Sequence, residues 1–172
     1  MVFERLLHVR LIRFIECSGV LITTQFAYRN GLGTYDALLC VSHTLQSVLK
    51  SRQVAGIVHI DFSAAFDRVN HQSILYKLCS AGIGGSVLSI LTQFLSNRLY
   101  HVMEDGRQSK LVIVVSGVPQ GSVLGPLLFI LHTSELFSIL ENKLIGYADD
   151  FTLMAVVPFP GFSAIHGRVP DL

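Results

Sequence analysis

Apolar residues recur along this chain with two different periods, and the changes of period mark its elements. Phe3, Leu6, Leu7, Leu11, Phe14 and Ile15 fall at near-helical spacing, with Arg5, Arg13 and Glu16 mostly elsewhere and Gly19 just beyond; this predicts an amphipathic helix over residues 3–16. Gln25 to Thr34 reads as a loop turning at Asn30-Gly31. Thr34 is the expected N-cap of a helix from Tyr35 to about Lys50, with Asp36 favoured by the helix dipole in the first turn. Val54 to Asp61, carrying Ile57, Val58 and Ile60, has the β-branched character of a buried strand.

Beyond it the period returns to helical from Asn70 to Ser80, closing near Gly82, and again from a cap at Ser86 to about Asn97. Leu99–Glu104 and Gln108–Val115 flank Asp105-Gly106, a strong two-residue hairpin signal. Ser116-Gly-Val-Pro-Gln-Gly121 is too rich in turn formers to be regular; Ser122 is the expected cap of a helix to about Leu140, with Pro126 in its first turn. Two strand-like runs, Lys143–Ala148 and Phe151–Val157, then meet at Asp149-Asp150, so two charges sit where a hairpin should turn. Residues 158–172 have no periodicity and read as an irregular tail. Helices, strand, helices, hairpin, helix and hairpin make an α+β domain with helices packed on one face of a mostly antiparallel sheet.

Composition sharpens this picture. The 172 residues fit one domain, but 51% hydrophobic against 15% charged, with a mean hydropathy of +0.54, is more apolar than an ordinary soluble domain. A covering surface is expected to be missing, and marginal solubility with it. The longest apolar run, Val123–Leu131, is interrupted by Gly125 and Pro126 and is too short to span a bilayer, while Glu4, Arg5, Arg10 and Arg13 break any signal sequence. No membrane partner is therefore expected, and the protein reads as intracellular. Three widely spaced cysteines support neither a disulfide framework nor a zinc site. With a first helix expected to start at about the second residue without a capping residue, the chain is expected to be a fragment.

Adjacent carboxylates need a reason. Two held ~4 Å apart repel by roughly 4 kcal/mol at an effective dielectric near 20, and a divalent cation relieves that repulsion. Asp61, ending its own strand, is the third carboxylate such a site would use. Three segments then hold the chemistry: Asp61-Phe-Ser-Ala-Ala-Phe-Asp67, Ser116-Gly-Val-Pro-Gln-Gly-Ser122 and Tyr147-Ala-Asp-Asp150. In this order and at these separations they resemble the reverse transcriptases. Gln25-Phe-Ala-Tyr-Arg-Asn-Gly31, Ile60 to His71 and Ser116 to Phe129 look more narrowly like non-LTR retrotransposons of the jockey and other LINE-type groups.

The resemblance covers about residues 3–157 and implies a right-hand polymerase palm with part of the fingers and the thumb absent. It implies an RNA-directed DNA polymerase that adds deoxynucleoside triphosphates to a DNA primer on an RNA template, in the nucleus or cytoplasm. Asp61, Asp149 and Asp150 would hold two Mg2+ ions, with Mn2+ able to substitute. Phe62 and Ser63 would approach the triphosphate and Phe66 would gate the sugar. Gln120 would contact the incoming nucleotide in a loop shaped by Pro119 and Gly121, and Tyr147 and Ala148 would lie near the primer end. Asp67, Arg68 and His71 match the family with structural roles, and Arg29 is expected either to touch the template or the triphosphate or to be a surface arginine. Two departures stand out: Phe151 where a small polar residue is more usual, and His132 where an aromatic is more familiar. Two alternatives compete: a catalytically inactive remnant that at most binds nucleic acid or a partner, and a two-metal nuclease, which leaves Phe66 and the Gln120 loop unexplained.

Overall fold

The computed structural model describes residues 2–21, 23–51, 53–140 and 143–158. Five helices are described, α1 (Val2–Cys17), α2 (Thr34–Lys50), α3 (His71–Ser80), α4 (Gly85–Leu95) and α5 (Gly125–Ile139). The strands are β1 (Gln53–Asp61), β2 (Arg98–Tyr100), β3 (Met103–Glu104), β4 (Arg107–Gln108), β5 (Val112–Val114), β6 (Lys143–Tyr147) and β7 (Asp150–Pro158). All pairs of these strands among the described residues are antiparallel. Pro158 ends β7 rather than opening a tail; the rest of the segment expected to be irregular lies outside the described residues. No helix among the described residues is long and apolar enough to cross a membrane.

The chain divides into two compact units: one takes residues up to Leu21 and Ser63–Ser134, the other runs from after Leu21 to Phe62 and resumes at Glu135. The first unit packs its helices into one core and carries two small two-stranded sheets, β2-β5 and β3-β4. Leu11, Ile12 and Ile15 of α1, Ile74 and Leu78 of α3, Leu91 and Leu95 of α4, and Leu127 to Leu131 of α5 form one apolar cluster. The start of α5 shows how local sequence and long-range contact share one task. The helix starts at Gly125, so the cap position falls on Leu124 instead of the expected Ser122; Ser122 Oγ still accepts from the Gly125 amide at 3.0 Å from just outside, while Val123 and Leu124 turn their amides to the Glu4 carboxylate at 2.7 and 3.0 Å. The negative charge also suits the positive end of the helix. Two further caps differ from expectation: α2 starts after Gly33, whose amide donates to Asp36 Oδ2 at 2.7 Å, and α4 after Gly84 rather than Ser86. In both, Gly supplies the extended cap conformation and the expected residue moves inside the helix.

The second unit is built on a three-stranded sheet in the order β1-β7-β6. Its two faces follow from the strand period. Ile145, Met154 and Tyr147 pack with Phe26 and with Ala37, Cys40, Val41 and Leu45 of α2, whereas Leu144, Phe151, Leu153 and Ile60 pack with Leu136 and Phe137 from the end of α5. Phe151 accounts for its own departure from the family pattern: it is 2% exposed, its ring tilted on Phe137 at 5.8 Å and edge-on to Phe62 at 5.4 Å.

Candidate active site

The strand register of the second unit decides where the carboxylates stand. Asp61 is directly opposite Asp150, His59 opposite Thr152 and Ile57 opposite Met154. Directly opposed residues share a face, so one face runs from the buried Met154, through a His59–Thr152 side-chain hydrogen bond of 3.1 Å, to the two exposed carboxylates at the strand ends. A shallow cleft lined by His59, Ile60, Asp61, Asp150, Phe151 and Thr152 lies there. Like charges opposed at the roughly 4.5–5.5 Å Cβ spacing of such a pair are destabilising, a cost the fold carries at this position.

The hairpin turns one residue earlier than the pairing of charges suggests. Tyr147 pairs with Asp150, leaving Ala148 and Asp149 as the two central residues. Asp150 is thus the first residue of β7, not part of the apex. Only Ala148 has a positive φ, 58°, the φ pattern of a type II′ turn, which ordinarily takes glycine at that position. A left-handed alanine costs about 1–2 kcal/mol, and strain of this kind collects at functional sites.

A segment from elsewhere in the second unit holds this turn. Phe26 donates its amide to Gly146 O at 3.0 Å and Gly146 donates to Thr24 O at 2.9 Å, which covers the free edge of β6. The Gln25 side chain donates from Nε2 to Ala148 O at 3.3 Å and accepts from the Ala27 amide through Oε1 at 3.1 Å. Burial raises the Tyr28 phenol above its ordinary pKa of 10.0, with the Asp149 carboxylate and then Tyr147 adding to the effect. Gln25 and Tyr28 were not singled out from sequence; their only signal was membership of the Gln25–Gly31 motif.

The first unit contains its own constellation. Ser116 Oγ donates to Asp67 O at 2.9 Å, the Gly117 amide to Val69 O at 2.8 Å and the Val118 amide to Phe66 O at 2.9 Å. Gly117, with φ 80°, is forced: a Cβ there would lie 2.7 Å from Asp67 backbone atoms. The Gly117 carbonyl accepts from His71 Nε2 at 2.7 Å and from the Arg98 guanidinium, which also donates to Leu95 O at 3.1 Å. Burial lowers the Arg98 pKa, though a guanidinium remains charged at neutral pH. On the loop so held, Gln120 donates from Nε2 to Asp67 Oδ1 at 2.9 Å, Pro119 O accepts from Ser122, and Gly121 takes φ 77°.

Of the residues expected at the site, Asp61, Phe62, Tyr147, Ala148, Asp149 and Asp150 lie in the second unit, and Ser63, Phe66, Pro119, Gln120 and Gly121 in the first. Phe66 stacks on Phe129 at 4.2 Å with 15° between the rings, so one face of its ring packs on the helical core. Ser63 precedes Ala64, whose carbonyl accepts from the amides of Asp67 and Arg68. Among the described residues, no three His, Cys, Asp or Glu side chains are gathered as a metal-ligand set. The donor chemistry nevertheless fits a hard cation: Mg2+ is ordinarily taken by one or two carboxylates, with water and substrate phosphate completing its shell, and Asp61 and Asp150 supply such a pair.

The family model described as reverse transcriptase (RNA-dependent DNA polymerase) matches residues 2–158. This chain belongs to the reverse transcriptase family. The RNA-directed DNA polymerase from mobile element jockey of Drosophila funebris is 32% identical over 152 residues, 88% of this chain and 16% of that protein. A probable RNA-directed DNA polymerase from transposon X-element of Drosophila melanogaster is 33% identical over 78% of this chain and 15% of its own length. The chain therefore spans about a sixth of these non-LTR retrotransposon relatives. Among solved structures, a telomerase of Candida tropicalis matches with a TM-score of 0.69 at 13% identity, over 98% of this chain and 30% of that one; the likeness is one of fold. The antiparallel sheet with its helices is that of a partial reverse transcriptase palm. Reverse transcriptases generally use divalent metal ions.

Proposed function

We propose that this chain is the palm-centred part of an RNA-directed DNA polymerase of a non-LTR retrotransposon, carrying Asp61, Asp149 and Asp150 as its catalytic carboxylates. The observation that carries the reading is the opposed Asp61–Asp150 pair with Asp149 in the adjoining turn. A fold that keeps two like charges opposed at strand ends, where any neutral pair would be more stable, keeps them for a ligand of opposite charge. Divalent cations bound there would lower the pKa of the primer 3′-hydroxyl and neutralise charge developing on the triphosphate. The protein's own part is positional. The β1–β7 ladder fixes Asp61 against Asp150, the turn presents Asp149, and the aromatic packing of Phe62 on Phe151 stiffens the end of β1. Gln120 is assigned to the incoming nucleotide, Phe66 to the sugar and Tyr147 and Ala148 to the primer end; the Gln120 amide is already oriented by Asp67. The partners are then an RNA template, a DNA primer and deoxynucleoside triphosphates.

Primer extension on an RNA template, with Mg2+ and then Mn2+, tests the reading beside Asp149→Ala and a circular dichroism check of folding. Extension that disappears in the variant supports it. A folded chain that extends nothing favours the inactive remnant, and template-independent strand cleavage lost in the same variant favours a nuclease.

A further inference from the structure

Gln25 is 2% exposed, so a carboxamide with four hydrogen-bonding positions has been taken out of water. Its orientation is fixed by chemistry: the Ala27 amide can only donate, so the atom facing it is Oε1, and Nε2 is left to donate to Ala148 O. The room it occupies is reserved for it. A Cβ on Gly146 would lie 2.8 Å from Gln25 Nε2, 3.2 Å from its Cδ and 3.0 Å from Phe137 Cζ. Its backbone is anchored on both sides, through the bonds that Thr24 and Phe26 make to Gly146, and Arg29 Nη1 donates to Gln25 O at 3.3 Å. Nothing local favours the left-handed Ala148, so the conformation of that turn is imposed by its surroundings.

We propose that Gln25 is a positioning residue for the carboxylate turn: its side-chain amide holds the Ala148 carbonyl, and so fixes the peptide group through which Asp149 is presented. The inference rests on the reading of Asp149 as a metal-binding carboxylate. Gln25 touches neither metal nor substrate; it acts through the turn, as outer groups act on metal ligands. Tyr28, in the same segment and within the field of Asp149, is consistent with that segment as the wall behind the turn.

The test compares the full chain with Gln25→Met, which keeps length but removes the donor, and with Val48→Ala, a truncation in α2 that lowers stability without touching the turn. Amide hydrogen exchange over residues 146–151 and Mn2+ affinity by electron paramagnetic resonance are read on each. In Gln25→Met, exchange is expected to quicken at least tenfold and Mn2+ binding to weaken about tenfold, within the range for lost outer-shell contacts, with neither change in Val48→Ala. Equal exchange and equal affinity in the two variants overturn the proposal. Should Gln25→Met not fold, Gly146→Ala, which displaces the amide without removing it, carries the same expectations. Asp149→Asn separates the two readings: unchanged Mn2+ binding there overturns the metal assignment, while quickened exchange in Gln25→Met still assigns the turn to Gln25.

Discussion

Two hairpins of this chain turn in two residues each, and they are built in opposite ways. Asp105-Gly106 joins β3 to β4 with both central residues at positive φ, 47° and 74°. That is the type I′ requirement, and Asp-Gly is a pair that meets it unaided. Ala148-Asp149 joins β6 to β7 with the positive φ on alanine, a residue that resists it, and a buried glutamine 123 positions away in sequence holds its carbonyl. The first turn is decided by its own residues and the second by what packs around it. Agreement between local preference and fold is the rule in foldable sequences, and its breakdown marks sites kept for another reason.

The two hairpins should differ most when an acid in or beside each turn is neutralised. Asp149→Ala or Asp150→Asn is expected to lower primer extension by more than about a thousandfold, roughly 4 kcal/mol of transition-state stabilisation, while Asp105→Asn leaves it unchanged. Stability should move the other way. Asp61→Asn removes half of an opposed like-charge pair and should raise the unfolding free energy by about 0.2–1 kcal/mol in urea titration. A loss of stability on that substitution would mean the pair is not repulsive as folded.

Adding one methyl group gives the next largest contrast. At Gly146 it would meet Gln25 and Phe137, both packed in place, and should cost about 1–3 kcal/mol as overpacking. At Gly106 nothing lies within 4 Å, so alanine there meets only the backbone preference, about 1–2 kcal/mol against a left-handed residue. The sizes overlap but the reach differs: Gly106→Ala should leave the hydrogen exchange of β7 untouched, and Gly146→Ala should not.

A similar division separates what the chain's local pattern reveals from what it hides. The helices from the 3.6-residue period, the Asp105-Gly106 hairpin and the strand ending at Asp61 all depend on neighbours in sequence, and they are legible there; the burial expected of that strand is not, since Ile57 and Val58 are 41% and 55% exposed. The aspartates were legible as a motif, though not that Asp150 begins a strand while Asp149 turns. Glu4 on the amides of Val123 and Leu124, and Gln25 on Ala148, join residues 119 to 123 positions apart. Such contacts leave no periodicity, and a buried glutamine looks in sequence like any loop amide. The cap shifts to Gly33 and Gly84 are of another kind, a one- or two-residue ambiguity in which glycine competes with the favoured side-chain caps.

Titration of Tyr28 sharpens the electrostatic side. Its phenol is raised above 10.0 chiefly by burial, next by Asp149. The folded state therefore holds this proton more tightly than the unfolded chain, and the associated stability is complete below the unfolded pKa and is lost as pH rises through the folded one. Asp149→Asn should bring the pKa down part of the way, burial remaining, as followed by the Tyr28 ring resonances. An unmoved titration would place the carboxylate out of reach of the phenol.

The smallest effect is the most diagnostic of how the two turns differ. Ala148→Gly relieves about 1–2 kcal/mol of left-handed strain but enlarges the freedom of the unfolded chain by about 0.4–1 kcal/mol, so a net gain of roughly 0.5 kcal/mol is expected in urea titration. Asp105→Gly has less strain to relieve, because aspartate tolerates the left-handed region better than alanine, and should be neutral or slightly destabilising. Both substitutions place glycine at the first central residue of a turn, the second also removing an exposed carboxylate, so opposite signs set the conformational conflict at Ala148 against a turn whose residue already tolerates a positive φ. In a Gln25→Met background the gain at Ala148 should shrink, since a turn no longer held by the amide can relax without glycine. An equal gain in both backgrounds would show that the strain at Ala148 is imposed by the β6–β7 register alone and that Gln25 follows the turn instead of setting it.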